Sequence, residues 1–532
     1  MASVRRGATV VSYCSNFQNQ YVSLLMALVQ AMATGHVIRG WKVSAAVFAA
    51  MCAAPGSVVA ADGLSIPATG SSWALGLSLV IVGGVVAAAI LKSPGWLRTS
   101  GMDAKTGIAV PLPYRGTRRC IYLDYNATSP IFPEVSREMF PFIGECFGNP
   151  SSAHALGRAC KAAVVRARAH VAALLGCAPE EVVFVGSGSE ADNHAILASL
   201  ALHAAKTPRS SPSSTGGLNG EDKSPVSPRA IGAVQHVVTS AIEHPAISKC
   251  LDHLAAEGKV EVTYVGVDRE GRVSVEDVVA AFRPETALVT VMHSNNEVGS
   301  LQPIKEIAEA CRQRGIMCHT DAAQSIGKVP VKVADLGVDM LTLVGHKFGA
   351  PKGVAALFVR RGLTLPPMVH GGGQEAGRRA GTENVLLISG MGKAAEIVDV
   401  ELERLSVHLA TMRARLLELL MAADLSEGVR VHGPSNPNLR LPNTLSIGIP
   451  GIEARVLLER LSETVAASAG SACHAGEATM SGVLQAMGVD NRTGFGTLRL
   501  SVGRHTTRRE VDMAGAAIIR EAKIMLADSP EQ

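Results

Sequence analysis

An aspartate and a lysine in the second half of the chain have the chemistry and spacing to serve one bound cofactor. Asp321 in "HTDAAQSIGK" follows a short strand-like run, and Lys347 in "LTLVGHKFGAPKGV" follows another about twenty-five residues later. Strand ends in open parallel sheets are where ligands bind. An aspartate can keep a ring nitrogen protonated and a lysine can form an imine, so the pair indicates pyridoxal phosphate chemistry. Taken alone, the pattern around Lys347 more commonly indicates a surface lysine on a turn than a catalytic one.

A third group, for the phosphate, is expected in "GSGSEADNHAI". A glycine-serine turn there follows the strand-like run "VVFV" and leads into a helix. The free N–H groups and the positive end of a helix favour an anion at this position. The alternative is an ordinary helix start with Ser189 near the N-cap.

A possible nucleophile lies near the C-terminal end in "ASAGSACHAGEATM". The small residues around Cys473 cannot fill a core, so the stretch predicts a mobile, accessible loop with a reactive thiol. His474 could lower the pKa of that thiol, although adjacency in sequence does not establish contact. A structural thiol on a loop is the alternative for a lone cysteine.

From about Ile121 onward, strand-like stretches alternate with helix-like stretches, and these elements must position the groups described above. Runs such as "EVVFVG", "QHVVTS" and "ALVTVMH" resemble strands, and stretches such as "LQPIKEIAEACRQRG" resemble helices. The alternation predicts an α/β fold with a mainly parallel sheet covered by helices on both faces. After about Gly390 the pattern predicts a smaller α+β domain. The Pro/Ser/Gly-rich stretch 206–229 is predicted to be a surface insertion.

The amino-acid composition argues against some classes of function. The chain has 532 residues, a formal net charge of +4, 47% hydrophobic and 18% charged residues, which is enough for two or three domains. There is no basic run with interleaved aromatic residues, so nucleic-acid binding has no support. Ten cysteines without a CxxC pair or zinc-like spacing indicate a reducing compartment, individual thiols and no metal site.

The first part of the chain differs from the rest. Residues 1–61 contain no Asp or Glu, which resembles an organelle-targeting segment. The uncharged stretch 73–91 is long enough to cross a bilayer once as a helix, or it could be a cleaved or buried apolar segment. Because basic residues follow it, the rest of the chain is expected on the cytoplasm-like side. The prediction is an organellar location, mitochondrial or plastidic, or a membrane-associated one, with a possible membrane tether.

The motifs as a set resemble those of the cysteine desulfurase and selenocysteine lyase family of class V aminotransferase-like enzymes. They occur in the family's order and extend from Ile121 to the C-terminal end: "YLDYNATSP", "FGNPSSAHALGR", "GSGSEADN", "SAIEHPAI", "MHSNNEVG", "HTDAAQSIGK", "VGHKFGAPKG", "HGGGQEAGRRAGTENV", "GSACHAG" and "LRLSVGRHTT". The resemblance implies a fold-type I pyridoxal phosphate enzyme with a mainly parallel seven-stranded sheet. Residues 119–385 would form the large cofactor-binding domain and 386–532 the small one, after an apolar extension at 1–118.

The resemblance also implies a role for each site residue. Lys347 would form the imine with the cofactor and Asp321 would pair with the pyridine nitrogen, while His244 would stack on the ring and assist proton transfer. The remaining cofactor contacts would come from Asn295 and Gln324 beside the ring, from Gly188, Ser189 and His346 at the phosphate, and from Thr382 of the second subunit of a homodimer.

The substrate would be held by an arginine and attacked by the cysteine. Arg499 would bind the substrate carboxylate, since an arginine fork matches a carboxylate in two parallel hydrogen bonds; a surface ion pair is the alternative. Asn126 is a second expected substrate contact. Cys473 would accept sulfur or selenium from L-cysteine or L-selenocysteine, leaving L-alanine, and pass it to an acceptor protein.

Several alternatives stay open. The choice between L-cysteine and L-selenocysteine is not decided by these motifs. Another fold-type I enzyme, an aminotransferase or a kynureninase-like hydrolase, would not need Cys473. A membrane-tethered carrier with an inactive site is a candidate from another class. Gly349 falls where many relatives have an aromatic residue, which leaves the packing beside Lys347 open.

Overall fold

The computed structural model describes residues 100–102, 109–111, 120–206, 234–425, 428–474 and 477–528. The chain divides into two units, Met1–Gly116 and Thr117–Gln532. In the first unit the described residues form an antiparallel strand pair, β1 (Ser100–Met102) and β2 (Ala109–Pro111). The predicted targeting segment, the stretch 73–91 and residues 207–229 of the predicted insertion lie outside the described residues, so the predicted location stays a prediction. No helix within the described ranges is long and apolar enough to cross a membrane.

A seven-stranded sheet dominates the second unit, in the order β4-β10-β9-β8-β7-β5-β6. Only β10 runs antiparallel to its neighbours, so the predicted mainly parallel seven-stranded sheet is confirmed. Its strands, in chain order, are β4 (Val182–Val185), β5 (Gln235–Ser240), β6 (Val260–Val265), β7 (Thr286–Thr290), β8 (Met317–Asp321), β9 (Met340–Val344) and β10 (Ala355–Val359).

Both faces of this sheet are buried, as expected for a parallel sheet whose crossover connections are helices. Val182 and Phe184 of β4 belong to one apolar cluster, and Val183 and Val185 belong to another on the opposite face, because side chains alternate along a strand. The helices from the start of the second unit to the end of this sheet are α1 (Pro133–Met139), α2 (Pro141–Gly144), α3 (Ala155–Leu175), α4 (Gly188–Lys206), α5 (Pro245–Ala256), α6 (Val275–Ala280), α7 (Ile304–Arg314) and α8 (Val333–Leu336).

One long helix contributes to two hydrophobic cores. Helix α9 (Val385–Met421) has 37 residues and starts with an Asn384 side chain that accepts the Leu387 N–H. Apolar residues of its first half, such as Met391, pack with the large sheet. Those of its second half, such as Leu416, pack in a separate cluster with the C-terminal elements. A helix of this length covers roughly 55 Å, enough to serve both cores.

The C-terminal elements form a four-stranded sheet, β11-β12-β17-β14, backed by helices. A parallel pair, β3 with β13, joins the segment at Ile121 to these elements. The remaining elements are β3 (Ile121–Tyr122), β11 (Arg430–His432), β12 (Thr444–Gly448), α10 (Ala454–Leu461), β13 (Val465–Ala466), β14 (Ser468–Ala469), α11 (Gly482–Ala486), α12 (Asn491–Phe495), β17 (Thr497–Ser501) and α13 (Arg508–Asp528).

The segment around Cys473 is a β-hairpin rather than the loop that its composition predicts. Strands β15 (Ser471–His474) and β16 (Glu477–Met480) pair antiparallel, and Cys473 lies opposite Ala478. The base of the hairpin is closed by the Ser481 N–H, which donates to the Gly470 carbonyl over 2.8 Å. Backbone pairing satisfies polar groups that small side chains cannot cover, which explains why a Ser/Ala/Gly sequence forms strands here.

Candidate active site

Several of the predicted site residues lie at one edge of the large sheet. Strands β4, β5, β7, β8 and β9 run in the same direction, so the turns that follow them meet at their carboxyl ends. The turns that follow three of these strands carry Gly188, His244 and Asn295, Asp321 is the last residue of β8, and Lys347 follows β9. The expectation that strand ends would bring these groups together is therefore met by the topology.

Lys347 lies in a single helical turn, Gly345–Lys347, directly after β9. Its Nζ donates to the carbonyl oxygens of Asn126 at 2.6 Å and Ala127 at 3.0 Å. Burial and, after it, the positive charge of Arg499 together lower the pKa of Lys347 to about 8, against the opposing effects of Asp321 and Asp124. The amine is thus held by neutral oxygens, and a lowered pKa makes the nucleophilic neutral form accessible near neutral pH.

Asp321 is 7% exposed, and its Oδ1 accepts the Ala323 N–H over 2.8 Å. Burial raises the pKa of this carboxyl, while the Ala323 N–H, His244 and Lys347 act in the opposite direction. His244 caps helix α5 through Nδ1, which accepts the Ala246 N–H over 3.1 Å. Loss of solvent contact lowers the pKa of His244, with Asp321 opposing this shift and Lys347 adding to it. The charges of Asp321, His244 and Lys347 therefore affect one another's pKa values.

Two further buried acids lie close enough to Asp321 to influence its charge. Glu243 accepts hydrogen bonds from Ser240 Oγ and from the Met292 N–H at 2.9 Å through Oε1, and its Oε2 has no partner. Burial raises the pKa of Glu243 to about 8, and Asp321 contributes. Burial and then Asp321 also raise the pKa of Asp192. A cationic ring nitrogen at Asp321 would supply the positive charge that this acidic surrounding lacks.

The start of helix α4 has the features of an anion site. The helix begins at Gly188, where an added Cβ would lie 2.6 Å from Cγ2 of Val344. The capping hydroxyl belongs to Ser187, which accepts the Glu190 N–H over 3.1 Å. Ser189 therefore lies inside the first turn and is not the cap, so its N–H is among those without an intrahelical acceptor. The N-terminus of this helix lies directly against the end of β9, close to Lys347.

His346 is half-buried, and its Nδ1 lies 3.2 Å from Thr128 Oγ1. Burial lowers the pKa of His346 to about 4, and Lys347 and Lys352 add to the effect. The ring is therefore neutral at neutral pH, so any contribution to phosphate binding is a single N–H donor and not a positive charge.

Asn126 is at the centre of a buried hydrogen-bond network, formed with Gln324, Asn443 and Thr444, that we call the site floor. Its Nδ2 donates to Thr444 Oγ1 at 2.8 Å and its Oδ1 accepts from Asn443 at 2.9 Å. Its carbonyl accepts from Gln324 Nε2 at 2.9 Å as well as from Lys347. Asn126 thus links the catalytic edge of the large sheet to strand β12 of the C-terminal sheet, in addition to its predicted place near the substrate.

A lysine that the motifs did not single out completes this floor. Lys328 is 5% exposed, and its Nζ donates to Asn126 Oδ1 at 3.1 Å and to Gln324 Oε1 at 2.9 Å. Burial lowers the pKa of Lys328 well below its usual value, and Lys347 and Arg499 contribute. These bonds fix the amide of Gln324 with its N–H₂ group directed away from Lys328. The only signal in the sequence is the lysine that ends "AAQSIGK".

Asn295 is fully buried and organises a turn. Its Oδ1 accepts the backbone N–H groups of Glu297 at 2.8 Å and Val298 at 2.9 Å, and its Nδ2 donates to the Ile242 carbonyl at 3.2 Å. The next residue, Asn296, accepts from Asn126 Nδ2 at 3.1 Å through its carbonyl oxygen. Contact between Asn295 and a cofactor ring stays a prediction.

Arg499 lies on β17 with its side chain 14% exposed, so it is not the surface ion pair considered as an alternative. Its Nη2 donates to Asp124 Oδ1 and to Ser468 Oγ, both at 2.9 Å, and its Nη1 donates to the Asn296 carbonyl at 3.3 Å. Its Nε is buried without a partner. Asp124 belongs to the motif "YLDYNATSP" and Ser468 to the stretch "ASAGSACHAGEATM", but nothing local to either residue predicts contact with Arg499.

The last two predicted residues lie at the margins of this arrangement. Thr382 is exposed and lines a cavity of about 260 Å³ together with Gly186, Arg379 and Glu383 of the same chain. Its predicted contact across a homodimer stays a prediction. Cys473 lies on β15, four residues beyond the end of β14, which pairs with the strand that carries Arg499.

Taken together, the sheet, its carboxyl-edge lysine and aspartate and the anion site at α4 define a fold-type I pyridoxal phosphate enzyme. The class V aminotransferase family model matches residues 121–209 and 226–513, and the chain belongs to that family. Among curated proteins, it is 39% identical over 393 residues to a cysteine desulfurase of Clostridium botulinum, covering 74% of this chain and 91% of that protein. It is 41% identical over 413 residues to a selenocysteine lyase of Bos taurus, with coverage of 74% and 91%.

The solved structures give the same relationship at the level of the fold. A structure of a NifS-like protein aligns with a TM-score of 0.65 and 32% sequence identity, covering 76% of this chain and 99% of that chain. The sheet, the site residues and the hairpin all fall within the residues that the family model matches.

Proposed function

We propose that this protein is a pyridoxal phosphate-dependent cysteine desulfurase or selenocysteine lyase that converts L-cysteine or L-selenocysteine to L-alanine. The observation that carries the proposal is that Arg499 of β17 lies close to Lys347 and Asp321 at the carboxyl edge of the large sheet, with the Cys473 hairpin following the strand that pairs with β17. Similarity to curated cysteine desulfurases and to a selenocysteine lyase supports the same reaction.

The residues present fit the cofactor. Asp321 is a buried carboxyl that lacks a full counter-charge, the α4 N-terminus offers free N–H groups at Gly188 and Ser189, and Lys347 is an amine with a lowered pKa. Gln324 and His244 lie beside the same space, where an amide donor and an imidazole face suit a phenolic oxygen and an aromatic ring. When bound, pyridoxal phosphate supplies an electron-withdrawing ring that stabilises charge on the substrate's α-carbon.

The chain's own groups then handle the substrate and its protons. Arg499 binds the substrate carboxylate, and Asn126 keeps the hydrogen-bond network of the site floor in place. Lys347, near its titration point at neutral pH, can release and accept a proton at Nζ. His244 is kept neutral by its lowered pKa, and because its Nδ1 accepts the Ala246 N–H, its proton is on Nε2, where the ring can donate. Asp321 stabilises positive charge facing it.

The thiolate of Cys473 carries the sulfur-transfer step. It attacks the side-chain sulfur of the substrate, so an S–S bond forms on Cys473 while the bond between the substrate's sulfur and its β-carbon breaks. The bonding electron pair goes to the β-carbon, which takes up a proton to give alanine. The thiolate is required because a neutral thiol is a poor nucleophile. An acceptor protein then takes the sulfur or selenium, and a homodimer would bring Thr382 to the phosphate of the opposite site.

The test is an assay of the full chain, loaded with pyridoxal phosphate, with L-cysteine and L-selenocysteine in parallel. Alanine, sulfide and selenide are measured for wild type, Cys473→Ala and Lys347→Ala. We expect Lys347→Ala to lose the cofactor's imine absorbance and all turnover. Cys473→Ala should keep the absorbance and lose persulfide formation from L-cysteine.

The matched control is Cys120→Ala, which removes an exposed thiol distant in sequence from the hairpin. It should behave as wild type. Alanine and persulfide production that survives in Cys473→Ala would contradict the assigned sulfur acceptor, whereas amino-group transfer to a keto acid by wild type would favour an aminotransferase instead.

A further inference from the structure

The guanidinium group of Arg499 is not free to bind a carboxylate in the arrangement described. A guanidinium can grip a carboxylate with two parallel bonds through either the Nε and Nη2 edge or the Nη1 and Nη2 edge. Both edges use Nη2. That nitrogen already has two acceptors, Asp124 Oδ1 and Ser468 Oγ, at 2.9 Å each. A substrate carboxylate on either edge therefore competes with them for Nη2.

Ser468 is the weaker of the two acceptors. The bond to Asp124 joins opposite charges, and charge-assisted pairs are about twice as strong as bonds to neutral groups. The Ser468 hydroxyl also donates to Asp124 Oδ1 at 2.8 Å, so it keeps a partner when Nη2 leaves it. Asp124 in turn keeps the guanidinium in place throughout.

The partnerless Nε of Arg499 indicates which edge receives the ligand. It is the one buried nitrogen of this side chain with no hydrogen-bond partner, and a buried donor left unpaired costs free energy until a ligand fills it. Nε and Nη2 share an edge. A carboxylate on this edge satisfies Nε and competes for Nη2 with Ser468, the weaker of its two acceptors.

We propose that Ser468 is a placeholder for the substrate's carboxylate: its hydroxyl occupies Nη2 of Arg499 until an amino-acid carboxylate takes that N–H together with the partnerless Nε–H. Asp124 is the positioning residue that keeps the guanidinium oriented for this exchange. Ser468 and Arg499 lie directly opposite each other on β14 and β17, so the backbone fixes the placeholder at bonding distance. The inference rests on the proposed function and deepens it.

The exchange has a measurable consequence for affinity. Because Ser468 competes with the ligand for one N–H, removing its hydroxyl should strengthen binding of ligands that carry an α-carboxylate. A hydrogen bond of this kind corresponds to about 2- to 10-fold in a dissociation constant. Ligands without a carboxylate do not use Arg499 and should be unaffected. A hydroxyl that merely supports the fold would affect both kinds of ligand alike.

The experiment measures dissociation constants of L-alanine and ethylamine for the full chain loaded with pyridoxal phosphate, from the change in cofactor absorbance. L-alanine has the carboxylate and no sulfur, so Cys473 does not react. Ser468→Ala should bind L-alanine about 2- to 10-fold more tightly than wild type, with ethylamine unchanged. Ser462→Ala, an exposed serine outside the site, is the matched control and should match wild type for both.

An isosteric pair keeps the test decisive if Ser468→Ala does not fold. Ser468→Thr retains the hydroxyl and Ser468→Val replaces it with a methyl of the same shape, so Val should bind L-alanine more tightly than Thr. Equal or weaker L-alanine binding in the hydroxyl-free variants overturns the placeholder role. A wild-type protein that gives no absorbance change with L-alanine and no sulfide from L-cysteine overturns the proposed function itself, a result separable from the first.

Discussion

The ionisable groups of the site are buried together, and each depends on the charge of the others. The acids Asp192, Glu243 and Asp321 have raised pKa values because burial disfavours their charged forms, and the charge of Asp321 raises the pKa values of Asp192 and Glu243 further. The amines Lys328 and Lys347 have lowered pKa values for the same reason, with further repulsion from neighbouring cations. The ionisation of each of these groups therefore depends on the charges of its neighbours. Removing one group shifts the pKa values of the others.

Removing the charge of Arg499 should raise the pKa of Lys347. Burial and then Arg499 lower this pKa to about 8, so in Arg499→Gln the protonated amine loses a repulsive neighbour. The measurement is competitive acetylation of the cofactor-free full chain across a pH series, with the modification of Lys347 read by mass spectrometry. In wild type, half-maximal reactivity is expected near pH 8, and in Arg499→Gln at higher pH.

The control for this titration is Arg509→Gln, which removes one positive charge from the exposed start of α13. It should leave the titration of Lys347 where it is in wild type. A titration of Lys347 that does not move in Arg499→Gln would mean that burial alone sets its pKa.

Replacing Glu243 by glutamine should reduce the pH dependence of stability. The folded protein keeps a proton on Glu243 up to a pKa of about 8, whereas the unfolded chain releases it near its ordinary value of 4.5. Between these values the unfolded state binds fewer protons, so the free energy of unfolding falls as pH rises from 4.5 to 8. Glu243→Gln lacks this proton, and its stability should fall less across that range, by on the order of 4 kcal/mol.

The measurement is the free energy of unfolding in urea at about pH 5 and about pH 8, for wild type and Glu243→Gln, because the two values bracket the titration. The glutamine amide would keep an oxygen to accept from Ser240 and Met292, so the two proteins differ mainly in the titrating proton. Glu285→Gln, at an exposed position, should keep the wild-type dependence. The same fall in stability for wild type and Glu243→Gln would show that Glu243 is charged in the folded protein.

At the scale of the elements, the turn after β9 is shaped by an aromatic ring from another segment. Gly349 has φ of +90°, and an added Cβ would lie 2.4 Å from the ring of Phe132. Phe132 is buried and lies under the guanidinium of Arg504, 4.6 Å from the ring centre. An aromatic ring therefore does pack against the turn at Gly349, although it comes from Phe132 in a distant segment of the chain and not from the turn itself.

Gly349→Ala should destabilise the protein through two separable causes. A residue with a Cβ is strained at this φ, and the methyl group would also force Phe132 out of its position, for a total of about 2–4 kcal/mol. Urea unfolding measures the sum. Gly362→Ala is the matched control, since Gly362 has φ of +88° and open space where a Cβ would be, so it should lose only the strain, about 1 kcal/mol. Equal losses in the two variants would contradict the clash with Phe132.

The sequence predicts features that depend on local residue patterns, such as strands and the residues at their ends. It does not predict contacts between segments that are far apart in the chain. Continuous apolar runs predicted the strands because both faces of the sheet are buried, and the strand ends predicted the positions of Asp321 and Lys347. The bond from Arg499 to Asp124 joins residues 375 positions apart, and nothing local to either encodes it. The hairpin at Cys473 was predicted as a loop because small residues give no alternating pattern, although their backbone pairs as strands.

Arg504 adds a further link between the two cores, and replacing it with lysine should weaken that link. It donates to Glu134 of α1 at 3.1 Å and to Glu401 of α9 at 3.0 Å, with its side chain 14% exposed. Lysine keeps the charge but cannot bridge two carboxylates with a planar fork, so Arg504→Lys should lose about 1–2 kcal/mol of the free energy of unfolding. Arg404→Lys is the matched control, because Arg404 pairs with the same Glu401 at 2.7 Å but is 75% exposed, where an ion pair contributes little. Urea unfolding followed by circular dichroism compares them, and an Arg504→Lys midpoint equal to that of Arg404→Lys would mean that the two cores are held by α9 alone.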